Sequence, residues 1–217
     1  MDRNKKFKNL LEYNKILLEA SDNNTSKEKL REIYNNYNTY MVLITLSSNR
    51  NTPKDILYKL FYYDSDNIKE NLAINRNSPI SILKELVYSS SDGIREELAK
   101  NKSVSNNILD LLLNDCNKFT RINVAENPNI NEKNLLILSK DFDTSVRLGV
   151  AKNSKSSIKV LKILSKDEKV CVRKQAIRNI SMSKDLLLEI IDNDKNKSVI
   201  NLAKQQLKSI ETIPKIL

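Results

Sequence analysis

Four arginines stand 26 residues apart at Arg95, Arg121, Arg147 and Arg173, and three aspartates, Asp115, Asp141 and Asp167, each lie six residues ahead of one of the last three. A row of guanidiniums could grip successive phosphates, because each presents a planar fork of donors to an oxyanion. The same fork suits a carboxylate, so the matched aspartates offer a second use, an Arg–Asp ladder. A further column repeats at Asn49, Asn75, Asn101, Asn127, Asn153 and Asn179. Its amides could read a ligand. Asn also tolerates the left-handed backbone that ends a helix, and a row of helix caps needs no ligand.

Catalysis has little material. The chain has no His, which removes an ordinary imidazole base, a Ser-His pair and a His-based metal site. Its two glycines, Gly93 and Gly149, cannot form a glycine-rich phosphate loop. The acidic pairs Asp64 and Asp66, Asp141 and Asp143, and Asp192 and Asp194 fall at turns, where local capping is their ordinary role. Neither catalytic residues, nor a metal, nor any other cofactor is expected, and the chain reads as a non-enzyme.

The elements carrying these columns recur with the same 26-residue period. Val146-Arg147-Leu148-Gly149-Val150-Ala151-Lys152-Asn153 has relatives at 120–127 and 94–101, and weaker ones at 68–75 and 172–179. Small residues stand at Ser47, Ala73, Ala99, Ala125, Ala151 and Ala203, with Ile177 in the same column. Ten residues later come Leu57, Leu83, Leu109, Leu135, Leu161 and Leu187, and three further on Leu60, Leu86, Leu112, Leu138, Leu164 and Ile190. Spacings of three and four are helical. Thr52-Pro53 and Ser78-Pro79 predict a helix start with Pro first behind a capping hydroxyl, and Ser105, Asn131, Ser157 and Ser183 are the equivalent caps. Each repeat is therefore a helical pair. In the second helix Val146, Val150 and Ala151 share the packing face, with Leu148, Gly149 and Lys152 directed elsewhere. A β-lined leucine-rich horseshoe also has a period near this length. It needs Leu-x-Leu alternation before its Asn, and that is absent.

The pattern Val-Arg-x-x-Val-Ala-x-Asn, then Ser/Thr-Pro or an equivalent, then Leu-x-x-Leu and Asp resembles the variant leucine-rich repeat, an all-helical, HEAT-like unit, over residues 43–206. The resemblance implies an all-α, right-handed α-solenoid whose second helices line a concave side. It also implies that the Asp and Arg columns bond within and between repeats, which favours the ladder over a phosphate row. Some members of the family carry an iron–sulfur cysteine cluster ahead of the repeats, which residues 1–42 cannot match because they hold no Cys. That segment reads as an irregular helical cap. Ser21, one period before Ser47, makes it a candidate decayed repeat. Residues 207–217 read as a carboxyl-terminal cap, and the whole as one continuous domain. Helical-repeat DNA glycosylases show that such a scaffold can carry catalysis, but their aromatic pockets include Trp, which this chain lacks.

The 217 residues carry a net charge of +10. That balance invites nucleic acid or an anionic membrane as partner, although the joint abundance of Lys, Asn and Ile points to biased codon usage behind part of it. Residues 1–100 hold 16 basic and 14 acidic side chains, whereas 101–217 hold 21 and 13. All eight Tyr lie between Tyr13 and Tyr88, away from the basic half. Single strands are gripped where basic and aromatic groups interleave, so duplex DNA or RNA is the nucleic acid that fits better.

Cys116 and Cys171 lie two repeats apart in expected connecting segments. Helices stack about 8–10 Å apart and a disulfide needs Cα atoms within about 7 Å, so the two should not pair, which suits a reducing interior. Lys5, Lys6 and Lys8 precede a segment broken by Glu12, Asn14, Lys15 and Glu19, which is no signal-peptide core. The longest apolar runs are too short to span a bilayer. A cytoplasmic protein without membrane attachment is the expectation.

Between the small residue and the Asn the type changes from repeat to repeat: Ser48, Ile74, Lys100, Glu126, Lys152, Arg178 and Lys204. Lys174, four residues before Arg178, extends the basic strip. Lys100, Glu126, Lys152, Lys174, Arg178 and Lys204 are the candidate binding residues. A protein partner along the concave side is the first expectation and duplex nucleic acid on the basic carboxyl-terminal half the alternative.

Overall fold

The computed structural model describes residues 10–212, and all regular structure among them is α-helix. Contacts gather the chain into two compact units, Met1–Val104 and Ser105–Leu217, where the sequence suggests one continuous domain. The repeat register crosses the boundary unbroken, from Asn101 to Asn127.

In the first unit the helices are α1 (Leu10–Ser21), α2 (Lys27–Asn36), α3 (Tyr40–Ser48), α4 (Lys54–Phe61), α5 (Asp66–Ile74), α6 (Ile80–Leu86) and α7 (Asp92–Lys100). Helices α1, α3, α5 and α7 stack in one row, and α2, α4 and α6 each bridge two members of it. The second unit holds α8 (Asn106–Leu112), α9 (Lys118–Glu126), α10 (Glu132–Leu138), α11 (Thr144–Lys152), α12 (Ile158–Leu164), α13 (Val170–Ile177), α14 (Lys184–Asn193) and α15 (Lys197–Thr212). Here α9, α11, α13 and α15 make the row. Helices α10 and α12 bridge it, while α8 packs on α9 and α14 on α15. The helical-pair solenoid repeat read from the sequence is thus the building block of each unit.

Bridging helices of seven or eight residues, such as α4, α6 and α12, are too short to persist alone. Burial holds them. Ile56, Leu57 and Leu60 in α4, Ile82, Leu83 and Leu86 in α6, and Val160, Leu161 and Leu164 in α12 are each almost wholly removed from solvent. The row helices bury an aliphatic pair and a small residue, as in Ile68, Leu72 and Ala73 or Val146, Val150 and Ala151, all at 0% exposure. Gly149, expected to face away, is buried as well: a Cβ there would stand 3.3 Å from Cβ of Ala125 and from Cγ of Glu126. Close approach of α11 to α9 leaves a side chain at that point only tight room, in which its neighbours would have to give by a few tenths of an ångström.

The Asn column ends the row helices differently from the expectation. No described residue has a positive φ; Asn49 and Asn153 are extended, with φ −72°, ψ 125° and φ −65°, ψ 124°. The side chains instead reach back one layer. Asn75 Nδ2 donates to the carbonyls of Ser47 at 2.9 Å and Asn49 at 3.0 Å, and Asn179 Nδ2 to those of Ala151 at 2.7 Å and Asn153 at 2.9 Å. Asn153 Nδ2 bonds Ala125 O at 2.7 Å and Asn127 O at 3.3 Å. Each Oδ1 accepts the N–H two residues on, from Asn77, Lys155 and Ser181. A buried carbonyl left over at a helix end is expensive; this single amide satisfies one, on Ser47, Ala125 or Ala151, and gives a second donor to the preceding Asn carbonyl, which already accepts the N–H three residues on.

The turn after each Asn also differs in detail. Thr52, Ser78 and Ser156 turn their hydroxyls back onto Leu46 O, Leu72 O and Val150 O at 2.7, 2.7 and 2.6 Å, so they seal the preceding helix. Pro53 and Pro79 occupy the cap position itself. Asn131, Ser157 and Ser183 cap as expected, and the Ser105 side chain makes no cap bond.

The amino-terminal segment joins the same scheme. Ala20 of α1 is fully buried, and Asn49 Nδ2 bonds its carbonyl at 2.7 Å and that of Asp22 at 2.9 Å. Residues 10–37 therefore act as a first layer, one residue out of register. At the other end α15 extends to Thr212; residues 213–217 of the expected cap, and Lys5, Lys6 and Lys8, lie outside the described residues.

Asn153→Ala should cost about 1–3 kcal/mol, because the buried Ala125 carbonyl and the Lys155 N–H lose their partner while Asn127 O keeps only the Ile130 N–H; urea unfolding of the full chain measures it. Ala151→Glu should lower Tm markedly by forcing a charge into a fully buried contact. An unchanged Tm would refute the packing role of that column.

Candidate interaction surface

The arginine column is a ladder, with a division of labour that the spacing did not reveal. Arg121 Nε and Nη2 donate to Asp141 Oδ2 and Oδ1 at 2.8 and 3.1 Å; Arg147 meets Asp167 at 2.6 and 3.1 Å, and Arg173 meets Asp194 at 2.7 and 3.1 Å. Each carboxylate thus belongs to the next repeat. The aspartate six residues earlier contributes its main-chain carbonyl instead: Arg121, Arg147 and Arg173 Nη1 donate to the carbonyls of Asp115, Asp141 and Asp167 at 2.7, 2.8 and 2.9 Å. Arg173 finds its partner 21 residues on, one more than the other rungs, across a longer α14 of ten residues and a shorter turn after it. Arg95 is also buried and bonds Ser89 O and Asp92. With their forks occupied, Arg121 and Arg147 are 3% and 7% exposed and have nothing left to offer a phosphate.

The ladder sets local charge states. Hydrogen bonding to Asp141 and Asp167 raises Arg121 and Arg147 above the normal arginine range despite their burial. Burial pushes Asp194 up, but the Arg173 guanidinium and the Asn196 N–H outweigh it and hold the carboxyl below its ordinary value. The Ser145 N–H, then Lys118, does the same for Asp143.

The candidate column between the small residue and the Asn faces solvent, as Lys100, Glu126, Lys152, Arg178 and Lys204 are all exposed, and Lys174 is half-buried. In the second unit Glu126 and Lys152 come together at 3.2 Å and neutralise one another across adjacent layers. Lys174 and Arg178 line a shallow cleft with Ser198, Asn201, Leu202 and Gln205; Lys204 lies on α15. None of these three cations has a carboxylate within ion-pair distance among the described residues. In the first unit Lys100 pairs with Glu97 at 2.7 Å on its own helix.

A second basic column went unread in the sequence. Arg50, Arg76 and Lys102 follow the Asn positions at the same 26-residue spacing, in the half whose acidic and basic side chains nearly balance. With Asn23, Ser48, Ile74, Glu97 and Lys100 they line a cleft of about 330 Å³ in the first unit. Strict periodicity was the available signal; summing charge over a hundred residues concealed it.

Among the described residues no group of three or more His, Cys, Asp or Glu side chains is placed to hold a metal ion. No disulfide forms; Cys116 is in a turn, whereas Cys171, expected in a connection, sits in the first turn of α13, and both are exposed. No described helix is long and apolar enough to cross a membrane.

A depressed folded-state pKa contributes stability that is present above the unfolded value of about 4 and is lost as pH falls through the folded value. Wild-type stability should therefore fall below about pH 4, and Asp194→Asn should flatten that acid limb while lowering stability at neutral pH by leaving Arg173 without its carboxylate. Urea midpoints across pH for both proteins test this; parallel acid limbs would remove Asp194 from the ladder's role.

No family model matches the chain, and no curated protein matches it. Among solved structures, one described as a leucine-rich repeat variant with a novel repetitive protein structural motif is similar over 85% of this chain and 73% of its own, with a TM-score of 0.63 and 19% identity. At that identity the likeness establishes the fold: the helical-pair repeats of this chain are built like those of the leucine-rich repeat variant.

Proposed function

We propose that the chain is a non-enzymatic interaction scaffold that binds a protein partner along the solvent-facing positions of its row helices. One observation carries this reading. The buried columns of small residue, Asn and Leu keep their type from layer to layer, with Ile177 and Ile190 as the departures, while the exposed column beside them runs Ser48, Ile74, Lys100 in one unit and Glu126, Lys152, Arg178, Lys204 in the other. Layered repeats offer extended binding surfaces, and a surface that changes at each layer on a constant core is suited to reading one particular partner. The partner surface that fits the second unit is acidic, because Lys174, Arg178 and Lys204 have no carboxylate within ion-pair distance among the described residues.

Duplex nucleic acid is the second reading, favoured by those same three cations. The readings separate on salt dependence, since release of counterions makes phosphate-backbone affinity fall steeply with salt. Wild-type protein and a variant carrying Lys152→Glu, Lys174→Glu, Arg178→Glu and Lys204→Glu serve as baits for nuclease-treated lysate of the native host and as titrants of a labelled duplex. A protein captured by wild type and lost by the variant supports the protein reading. Duplex binding that persists at physiological salt, weakens steeply above it and is lost in the variant replaces it with the second. Equal behaviour of the two baits would remove the strip from either role.

A further inference from the structure

We infer that the cleft in the first unit, between the loops that follow α3, α5 and α7, is a docking site for an extended acidic peptide in which acidic residues flank an apolar one. This rests on the protein-partner reading and names the class of segment bound, at a place that reading did not include.

The cleft is a built feature. Its basic residues sit on turns of matching sequence, Asn49-Arg50-Asn51-Thr52-Pro53 and Asn75-Arg76-Asn77-Ser78-Pro79. Both turns are held from several sides. Asn51 Nδ2 donates to Asn23 O at 2.6 Å and Asn77 Nδ2 to Thr52 O at 2.9 Å, so each turn is fastened to the turn one layer earlier. The Arg50 N–H donates to Asn23 Oδ1 at 3.0 Å. Asn75 and Asn101 reach into the preceding layer beneath them, onto Ser47 O and Ala73 O. The Arg50 and Arg76 side chains are exposed at the rim, and neither has a carboxylate partner among the described residues. Two guanidiniums are thus presented on a rigid frame with their forks unused, which lowers the ordering cost of binding.

The chemistry of the lining selects the ligand. Successive layers are about 8–10 Å apart, a span that an extended chain covers in about three residues, so acidic side chains a few residues apart can reach Arg50 and Arg76 in turn. Ile74 is half exposed, at 50%, and lies in the same lining, ready to receive an apolar side chain placed between those acids. Glu97 faces the same space, with Lys100 against it at 2.7 Å. A continuous phosphodiester, charged at every unit, would meet that carboxylate unfavourably. No aromatic side chain is in the lining to stack a base. A peptide with separated charges can set an uncharged residue opposite Glu97 and needs no stacking surface.

The test uses the full chain and a fluorescein-labelled extended peptide in which Glu recurs every third residue with Leu between, beside its Gln-for-Glu counterpart and a labelled DNA duplex, read by fluorescence anisotropy. The acidic peptide should bind wild type, with the Gln peptide weaker by about tenfold or more. The pair Arg50→Glu with Arg76→Glu should abolish that binding, and Arg50→Gln with Arg76→Gln should weaken it by about tenfold. All four substitutions are at exposed positions, and unchanged thermal melting shows that the fold is kept. The second-unit variant described above should bind the peptide as wild type does. Peptide affinity unaffected by either arginine pair, or no peptide binding to wild type, overturns the inference. Duplex binding lost on Arg50→Glu with Arg76→Glu, without peptide binding, replaces it with nucleic acid. If the host partner is still captured through the second unit while the peptide fails, this inference alone falls; if capture fails and the peptide binds through Arg50 and Arg76, the second-unit strip falls and the cleft stands.

Discussion

Every layer of this protein must dispose of main-chain carbonyls at the end of a short helix that is pressed against the next short helix. Water cannot reach most of them, and a buried acceptor without a donor would cost a large share of what one layer's packing contributes. The Asn column resolves this. One amide gives both its protons to the previous layer's carbonyls and uses its oxygen to close its own turn, as Asn75 and Asn179 show. The Arg–Asp rungs add a second set of ties at the other end of the row helices, where Arg121, Arg147 and Arg173 each join a carbonyl of their own repeat to a carboxylate of the following one. Hydrophobic burial holds the layers together, and these two columns fix their register.

Much of this was legible because a repeat displays its constraints in columns. The Leu and Ala positions announced which faces are buried, and Leu57, Leu60, Ala73 and their counterparts are buried as expected. What spacing cannot carry is direction. Asp141 stands six residues before Arg147 and twenty after Arg121, and nothing in the sequence says that its carboxylate serves the earlier arginine and its carbonyl the later one. Likewise, a conserved type at a helix end suits a left-handed cap and a reach into the neighbouring layer equally well; only the backbone, extended at Asn49 and Asn153, separates them. Gly149 was misplaced for a related reason. Its burial depends on how closely α11 approaches α9, a tertiary quantity without a local signature.

The candidate surface was half legible. Layer-to-layer variation singled out Lys100, Glu126, Lys152, Arg178 and Lys204, yet it could not show that Glu126 and Lys152 spend their charge on each other. Net charge misdirected attention to the second half of the chain. Formal balance over a segment says nothing about which face carries which sign, and Arg50 and Arg76 line one cleft while acids such as Asp55 are engaged elsewhere, in its case by Arg31.

The absence of any positive φ among the described residues has a consequence for how such a surface can change. Turns that depend on left-handed backbone commit a position to glycine or asparagine, and substitution there carries strain. Here the turns are closed by side chains reaching across layers, so the residue after each Asn, at Arg50, Arg76 and Lys102, is free of steric demand. Chemistry at the rim can be exchanged one layer at a time, with the frame beneath it left in place.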